Sequence, residues 1–214
     1  MTDRARRVRP LERPPSAESV HVYPPREDTA LLARAAPRCR GRTVLEVGAG
    51  SGAVAIAAAR AGARTVVATD LNPHALRAVR RSAQAQHLKV ELVRTDLAAG
   101  LGRFDRLLAN PPYLPTRPEE RDPDRWTNIA LDGGLDGCRV LARLVHDLPD
   151  HLAPGGAAYV VGSSLQAGRA LAAIVAEWKD RGGDQEVVAD RWLEGERLFV
   201  WRFSLRDRTP VDAV

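Results

Sequence analysis

Thr43-Val44-Leu45-Glu46-Val47-Gly48-Ala49-Gly50-Ser51-Gly52 joins a short apolar segment to a glycine-rich turn, and the rest of the chain can be placed around it. Thr43–Val47 reads as a strand and Gly48–Gly52 as a turn. Ala53–Ala61 is a short Ala-rich helix closed by Gly62. Glycines between a strand and a helix let the backbone turn tightly and come within contact distance of a ligand. Asp70 stands 18 residues beyond Gly52, at the end of the next strand, Thr65–Thr69. An acid there can accept both hydroxyl protons of a ribose. The glycines run G-x-G-x-G, whereas dinucleotide binders use G-x-G-x-x-G. A carboxylate at Glu46 would repel a pyrophosphate and attract the sulfonium and ammonium of S-adenosylmethionine (SAM). SAM is therefore the better ligand, and an NAD-dependent oxidoreductase is the disfavoured reading.

From Thr43 onward, β-branched runs alternate with helical patterns, which argues for a parallel sheet. Asn72-Pro73 supplies an N-cap and an N1 proline for a helix to about Gln86. Val90–Val93 reads as a third strand and Phe104–Ala109 as a fourth. Leu114 to Asn128 is rich in proline and charge and reads as a long surface loop. Gly134-Leu135-Asp136-Gly137 opens a helix with Leu141, Leu144, Val145 and Leu148 on one face. Pro154-Gly155-Gly156 turns into a fifth strand, Ala157–Val161. A helix follows over Leu165–Trp178. Glu186–Trp192 and Arg197–Phe203 then form a closing antiparallel hairpin.

Asn110-Pro111-Pro112-Tyr113 ends the fourth strand, whose carboxyl end faces the ligand crevice of an open α/β sheet. The prolines cannot continue the sheet and have no N–H donors. Asn110 and the Pro111 carbonyl offer acceptors, and Tyr113 offers a stacking face. Such a set suits a planar –NH₂ group, a carboxamide or the exocyclic amine of a base. Orientation and polarisation by two hydrogen bonds then replace a strong base.

The chain has 214 residues, 44% hydrophobic and 28% charged, which suits one soluble domain with tails. Its net charge of +5 would point to a polyanion partner, but residues 1–13 alone carry five arginines against two acids. Residues 202–214 add a net +1, leaving +1 for the body between. Nucleic acid is thus weakly supported as a partner. Residues 1–19 read as a basic, disordered Pro/Arg-rich tail, 20–203 as the catalytic domain and 204–214 as a C-terminal tail. No run is apolar enough to span a bilayer, and the basic N-terminus has no apolar h-region behind it. Cys39 and Cys138 are far apart and the histidines show no ligand spacing, so no metal site is expected and a reducing cytoplasm is the default.

Taken together, these motifs resemble the HemK-like N-methyltransferases among the class I SAM-dependent methyltransferases. The resemblance runs from about Val20 to Phe203, with the short branch that methylates glutamine in translation release factors the most similar. It implies a Rossmann-like α/β fold, a seven-stranded mostly parallel sheet with a C-terminal antiparallel hairpin. In Val22–Thr29 it puts Tyr23 near SAM and Asp28-Thr29 beside the methionine part. Glu46, Gly48, Gly50 and Gly52 become the SAM loop, Asp70 the ribose acid, Leu71 an adenine neighbour, and Asp96-Leu97 the pair at the adenine amino group. Asn110, expected beside SAM as well, joins Pro111, Pro112 and Tyr113 in the catalytic motif, and Gly133–Gly137 become the segment before the next helix.

The resemblance also implies a protein acceptor, and a small zinc-binding activator protein pairing with the Val90–Val93 edge. Leu114, Ala130-Leu131-Asp132 and Ser163-Ser164-Leu165 depart from the family pattern near the acceptor. Base methylation in nucleic acid, small-molecule N-methylation and a catalytically silent SAM-binding protein remain the alternatives at this stage. The 42 residues before Thr43 leave no room for the extra helical domain of bacterial release-factor methyltransferases.

Overall fold

A computed structural model describes residues 21–206; the expected tail over 1–19, Val20 and residues 207–214 lie outside them. In chain order the elements are α1 (Glu27–Ala33), β1 (Thr43–Val47), α2 (Ala53–Arg60), β2 (Thr65–Thr69), α3 (Pro73–Gln84), β3 (Glu91–Val93) and β4 (Phe104–Ala109). Then come α4 (Arg125–Leu131), α5 (Arg139–His151), β5 (Leu152–Ser163), α6 (Gly168–Asp180), β6 (Gly183–Leu193) and β7 (Glu196–Leu205).

The strands form one seven-stranded sheet in the order β3-β2-β1-β4-β5-β7-β6. The first five pair in parallel, and β7 runs antiparallel to both β5 and β6. Side chains alternate across β1. Leu45 and Val47 pack into a core with Leu141, Leu144, Leu148 and Trp178 of α5 and α6. Val44 faces the other way, into a core with Leu31, Leu32, Val54 and Val79 of α1, α2 and α3. The sheet is thus covered on both sides, as a mostly parallel sheet requires.

The chain's order reverses at β1 and β4, and that is where an open α/β sheet leaves a crevice. Val47 pairs with Thr69 and with Ala109. Gly48, Asp70 and Asn110 therefore leave the sheet side by side.

Several expected boundaries move. The stretch read as a surface loop holds α4, whose N-cap Asp124 accepts the Trp126 N–H through its carboxylate. The end of the Val22–Thr29 stretch opens α1, which runs over Glu27–Ala33. The Pro154-Gly155-Gly156 turn lies inside β5 as a bulge: Leu152 pairs with Phe104 and Ala157 with Arg106. The helix opened by Gly134–Gly137 starts at Arg139, and the next at Gly168 rather than Leu165. β7 continues past Phe203, so Ser204 and Leu205 belong to the sheet and not to a tail.

Candidate active site

Glu46 sits on the same face of β1 as Val44, beneath the start of α2. The N-cap of α2 is Gly52, which has no side chain to offer. The Glu46 carboxylate takes its place, accepting the Ala55 N–H at 2.7 Å. Glu46 is buried, and burial raises its pKa from 4.5 to about 8 against the opposing pull of that hydrogen bond; the nearby Asp70 raises it further.

Asp70 closes the next strand and ties two turns together. One oxygen accepts the Gly50 N–H and the other the Asn72 N–H, each at 2.8 Å. Burial raises its pKa too, opposed by these bonds. Gly50 and Gly48 both have positive φ, and a Cβ at either would meet nothing within 4 Å, so their open sides face free space. Gly52 differs. It lines neither hollow described below, and a Cβ there would come 2.7 Å from Val79 Cγ2, where α2 meets α3.

Two hollows meet over these strand ends. The first, of about 340 Å³, is lined by Tyr23, Asp28, Thr29, Glu46, Gly48, Gly50, Asp70 and Asn110 through Tyr113. The second, of about 320 Å³, is lined by Asp70, Leu71, Asp96, Leu97 and Asn110 through Pro112. Gly48, Asp70 and the start of the tetrapeptide border both. In the second hollow Asp96 pairs with Arg143 at 2.7 Å, and the Leu97 carbonyl accepts the Thr69 hydroxyl at 2.8 Å.

At the junction, Asn110 Oδ1 is buried and has no hydrogen-bond partner among the described residues. A buried orphan acceptor costs about 1–3 kcal/mol, so one left on a cleft wall is fitted to a ligand's donor. Tyr113 is held from behind: its hydroxyl donates to Asp28 Oδ2 at 3.2 Å, and burial with that carboxylate drives the phenol pKa far above its ordinary value. The hydroxyl stays protonated, so Tyr113 orients and walls and is no base.

The tetrapeptide also rests on Gly133–Gly137. The Leu114 carbonyl accepts the Gly133 N–H and the Leu114 N–H donates to the Leu131 carbonyl, and a Cβ on Gly137 would collide with the Tyr113 carbonyl oxygen. Asp132 anchors this segment, accepting the Gly134 N–H and pairing with Arg121 and Arg139.

The residues fit SAM. Two buried carboxylates, Glu46 and Asp70, hold raised pKa values that a cationic ligand would relieve. Glu46 and Asp28-Thr29 would face its charged amino-acid end, Asp70 its ribose, and Leu71, Asp96 and Leu97 its adenine. Sequence reasoning missed Glu196, Leu193 and Leu198, which reach the first hollow from the hairpin. No local motif marks them, because only the antiparallel return of β7 brings them there.

Residues 27–122 match the methyltransferase small domain family. A Methanocaldococcus jannaschii protein assigned as a protein N5-glutamine methyltransferase is 39% identical over 85% of this chain and 92% of its own. Mouse methyltransferase HEMK2 is 40% identical over 86% of this chain and 89% of its own. Among solved structures, the E. cuniculi Mtq2–Trm112 complex, responsible for methylation of the translation termination factor eRF1, superposes with a TM-score of 0.66 at 27% identity, covering 87% of this chain and 99% of that one. With the paired strand ends, the acidic glycine loop and the orphan Asn110 acceptor in one cleft, the chain belongs to the HemK-like family of SAM-dependent N-methyltransferases.

Proposed function

We propose that this enzyme methylates the side-chain amide nitrogen of a glutamine in a protein, and that the protein is a translation release factor. The reading rests on the orphan Asn110 Oδ1 at the junction of the two hollows. SAM supplies an electrophilic methyl carried on a cationic sulfur. Asn110 Oδ1 accepts one hydrogen of the substrate –NH₂ and the Pro111 carbonyl the other. These bonds hold the planar group in one orientation and push electron density onto nitrogen. Tyr113, fixed by Asp28, walls the amide. The surplus proton becomes acidic once the nitrogen is methylated and passes to water.

The M. jannaschii relative supports a glutamine acceptor, and the E. cuniculi complex supports a translation termination factor as the protein that carries it. The charge of the first hollow supports a protein over a nucleic acid: Glu27, Asp28, Asp70 and Glu196 line it, against Arg26 as its one arginine. Such a surface repels phosphates. The short strand β3 lies at the open edge of the sheet. A small zinc-binding activator pairing there is part of this reading, supported by the complex in which the E. cuniculi relative was solved. The catalytic domain expected over 20–203 extends to Leu205 at the end of β7, and the arginine-rich N-terminal stretch takes no part in the chemistry. No helix among the described residues is long and apolar enough to cross a membrane, which suits action in the cytoplasm.

Incubation with methyl-labelled SAM and cell extract, separated into protein, nucleic acid and metabolite fractions, tests the reading. Label should enter protein, on glutamine. Label confined to nucleic acid or metabolites would overturn it.

A further inference from the structure

Large apolar side chains left exposed among the described residues are few: Leu71, Leu135, Leu165, Val187 and Trp192. Leu71 lines the second hollow and Val187 lies on edge strand β6. The remaining three, Leu135 (75% exposed), Leu165 (42%) and Trp192 (72%), lie far apart in sequence. Each sits where a segment leaves the cleft end of the sheet: before α5, after β5, and near the β6–β7 turn.

These segments are bonded to one another. The Asp136 carbonyl accepts the Ala167 N–H, which ties the Leu135 segment to the Leu165 segment. The Ser164 N–H donates to the Arg197 carbonyl, and the Arg197 N–H donates to Ser164 Oγ, which joins the Leu165 segment to β7. Arg197 pairs across the hairpin with Trp192 and lays its guanidinium 5.7 Å from that ring's centre. The three side chains thus belong to one connected rim.

That rim is fixed to the catalytic tetrapeptide. Gln166 is buried, accepts the Ser163 N–H and donates to the Gly137 carbonyl at 2.8 Å. Gly137 in turn lies against the Tyr113 carbonyl. On the other side Ser163 Oγ donates to Glu196, whose side chain lines the first hollow beside Leu193. An object seated on the rim is therefore held in fixed register with Asn110.

We propose that Leu135, Leu165 and Trp192 form the docking surface for the body of the acceptor protein, outside the pocket that takes its glutamine. The inference rests on the protein-acceptor reading above. Its basis is the rim's continuity with the cleft: a folded acceptor that inserts one side chain beside Asn110 must lay its neighbouring surface on what surrounds the opening. Exposed aromatic and aliphatic side chains carried on hydrogen-bonded neighbouring segments are the kind of residue that carries protein–protein affinity.

Steady-state kinetics of Leu135→Ser, Leu165→Ser and Trp192→Ala test it on two acceptors, a purified translation release factor and a short peptide carrying its acceptor glutamine. The expected result is a KM for the release factor raised about tenfold or more, with kcat and peptide turnover unchanged. An unchanged KM for the release factor in all three variants would overturn the docking surface and leave the acceptor reading standing. So would equal losses on protein and peptide, which would mark a folding or active-site defect. Wild-type enzyme that leaves the release factor unlabelled would overturn the acceptor reading, and this inference with it. A dimer that dissociates in the variants without a change in KM would assign the rim to a second copy of the chain, against the proposal.

Discussion

The Tyr113 hydroxyl donates to Asp28 Oδ2 across 85 residues of sequence, at 3.2 Å. The bond joins the catalytic loop to the first helix and fixes the tyrosine ring as a wall. Asp28 is buried, so Tyr113→Phe leaves its carboxylate short of a donor. The loss should destabilise the protein by about 1–3 kcal/mol in urea unfolding. A variant as stable as wild type would show that the bond contributes nothing.

Asp70→Ala removes an acceptor for ligand and the tie between the Gly50 and Asn72 turns. SAM affinity by calorimetry should fall about 10- to 100-fold, the range expected for losing hydrogen bonds to a charged group. Asp70→Asn should fall less, because it keeps the shape and one acceptor. Unchanged affinity in Asp70→Ala would remove Asp70 from the ligand site.

Glu46 makes binding depend on pH. Its pKa in the ligand-free fold is about 8, above the ordinary 4.5. The fold therefore holds this proton more tightly than the unfolded chain does, and ligand-free stability declines as pH rises between those values. A cationic ligand favours the ionised carboxylate, so SAM affinity should rise with pH, by at most about tenfold per unit, and level off above about pH 8. Glu46→Gln should flatten that profile. Affinity that falls as pH rises through this window would contradict the assignment.

Gly137→Ala tests the support under the tetrapeptide. Gly137 has a φ of +74° and no room for a Cβ beside the Tyr113 carbonyl. The substitution should push Asn110–Tyr113 out of register. Turnover should drop while SAM affinity holds, because the Glu46 and Asp70 groups lie on other strands. Equal losses in both would show that the tetrapeptide holds SAM as well as the acceptor.

How much of this was legible in the sequence follows from what each feature depends on. β1, β2, β4 and the glycine loop declare themselves through local pattern, and the strand order then brings Gly48, Asp70 and Asn110 together. α4 was hidden because Pro118, Pro123 and dense charge mask a two-turn helix that begins only at the Asp124 cap. The bulge in β5 was hidden because Pro154-Gly155-Gly156 looks like a strand break, whereas pairing resumes with β4 on its far side. Gly52 looks like part of a ligand loop from spacing alone. Its close contact is with Val79, a tertiary relationship. Glu196 and the docking rim depend on hydrogen bonds between β5 and β7 segments and on the return of the hairpin, which no single stretch encodes.

The central claim, that Asn110 orients a glutamine amide for methyl transfer in a site where SAM binds independently, is tested most directly by Asn110→Ala. SAM affinity by calorimetry and methyl incorporation into a release-factor glutamine would be measured on the same preparation. The expected result is SAM affinity within about twofold of wild type and glutamine methylation lowered at least about a hundredfold, as when an oriented hydrogen-bond partner of the reacting group is removed. Turnover equal to wild type with SAM bound normally would contradict it.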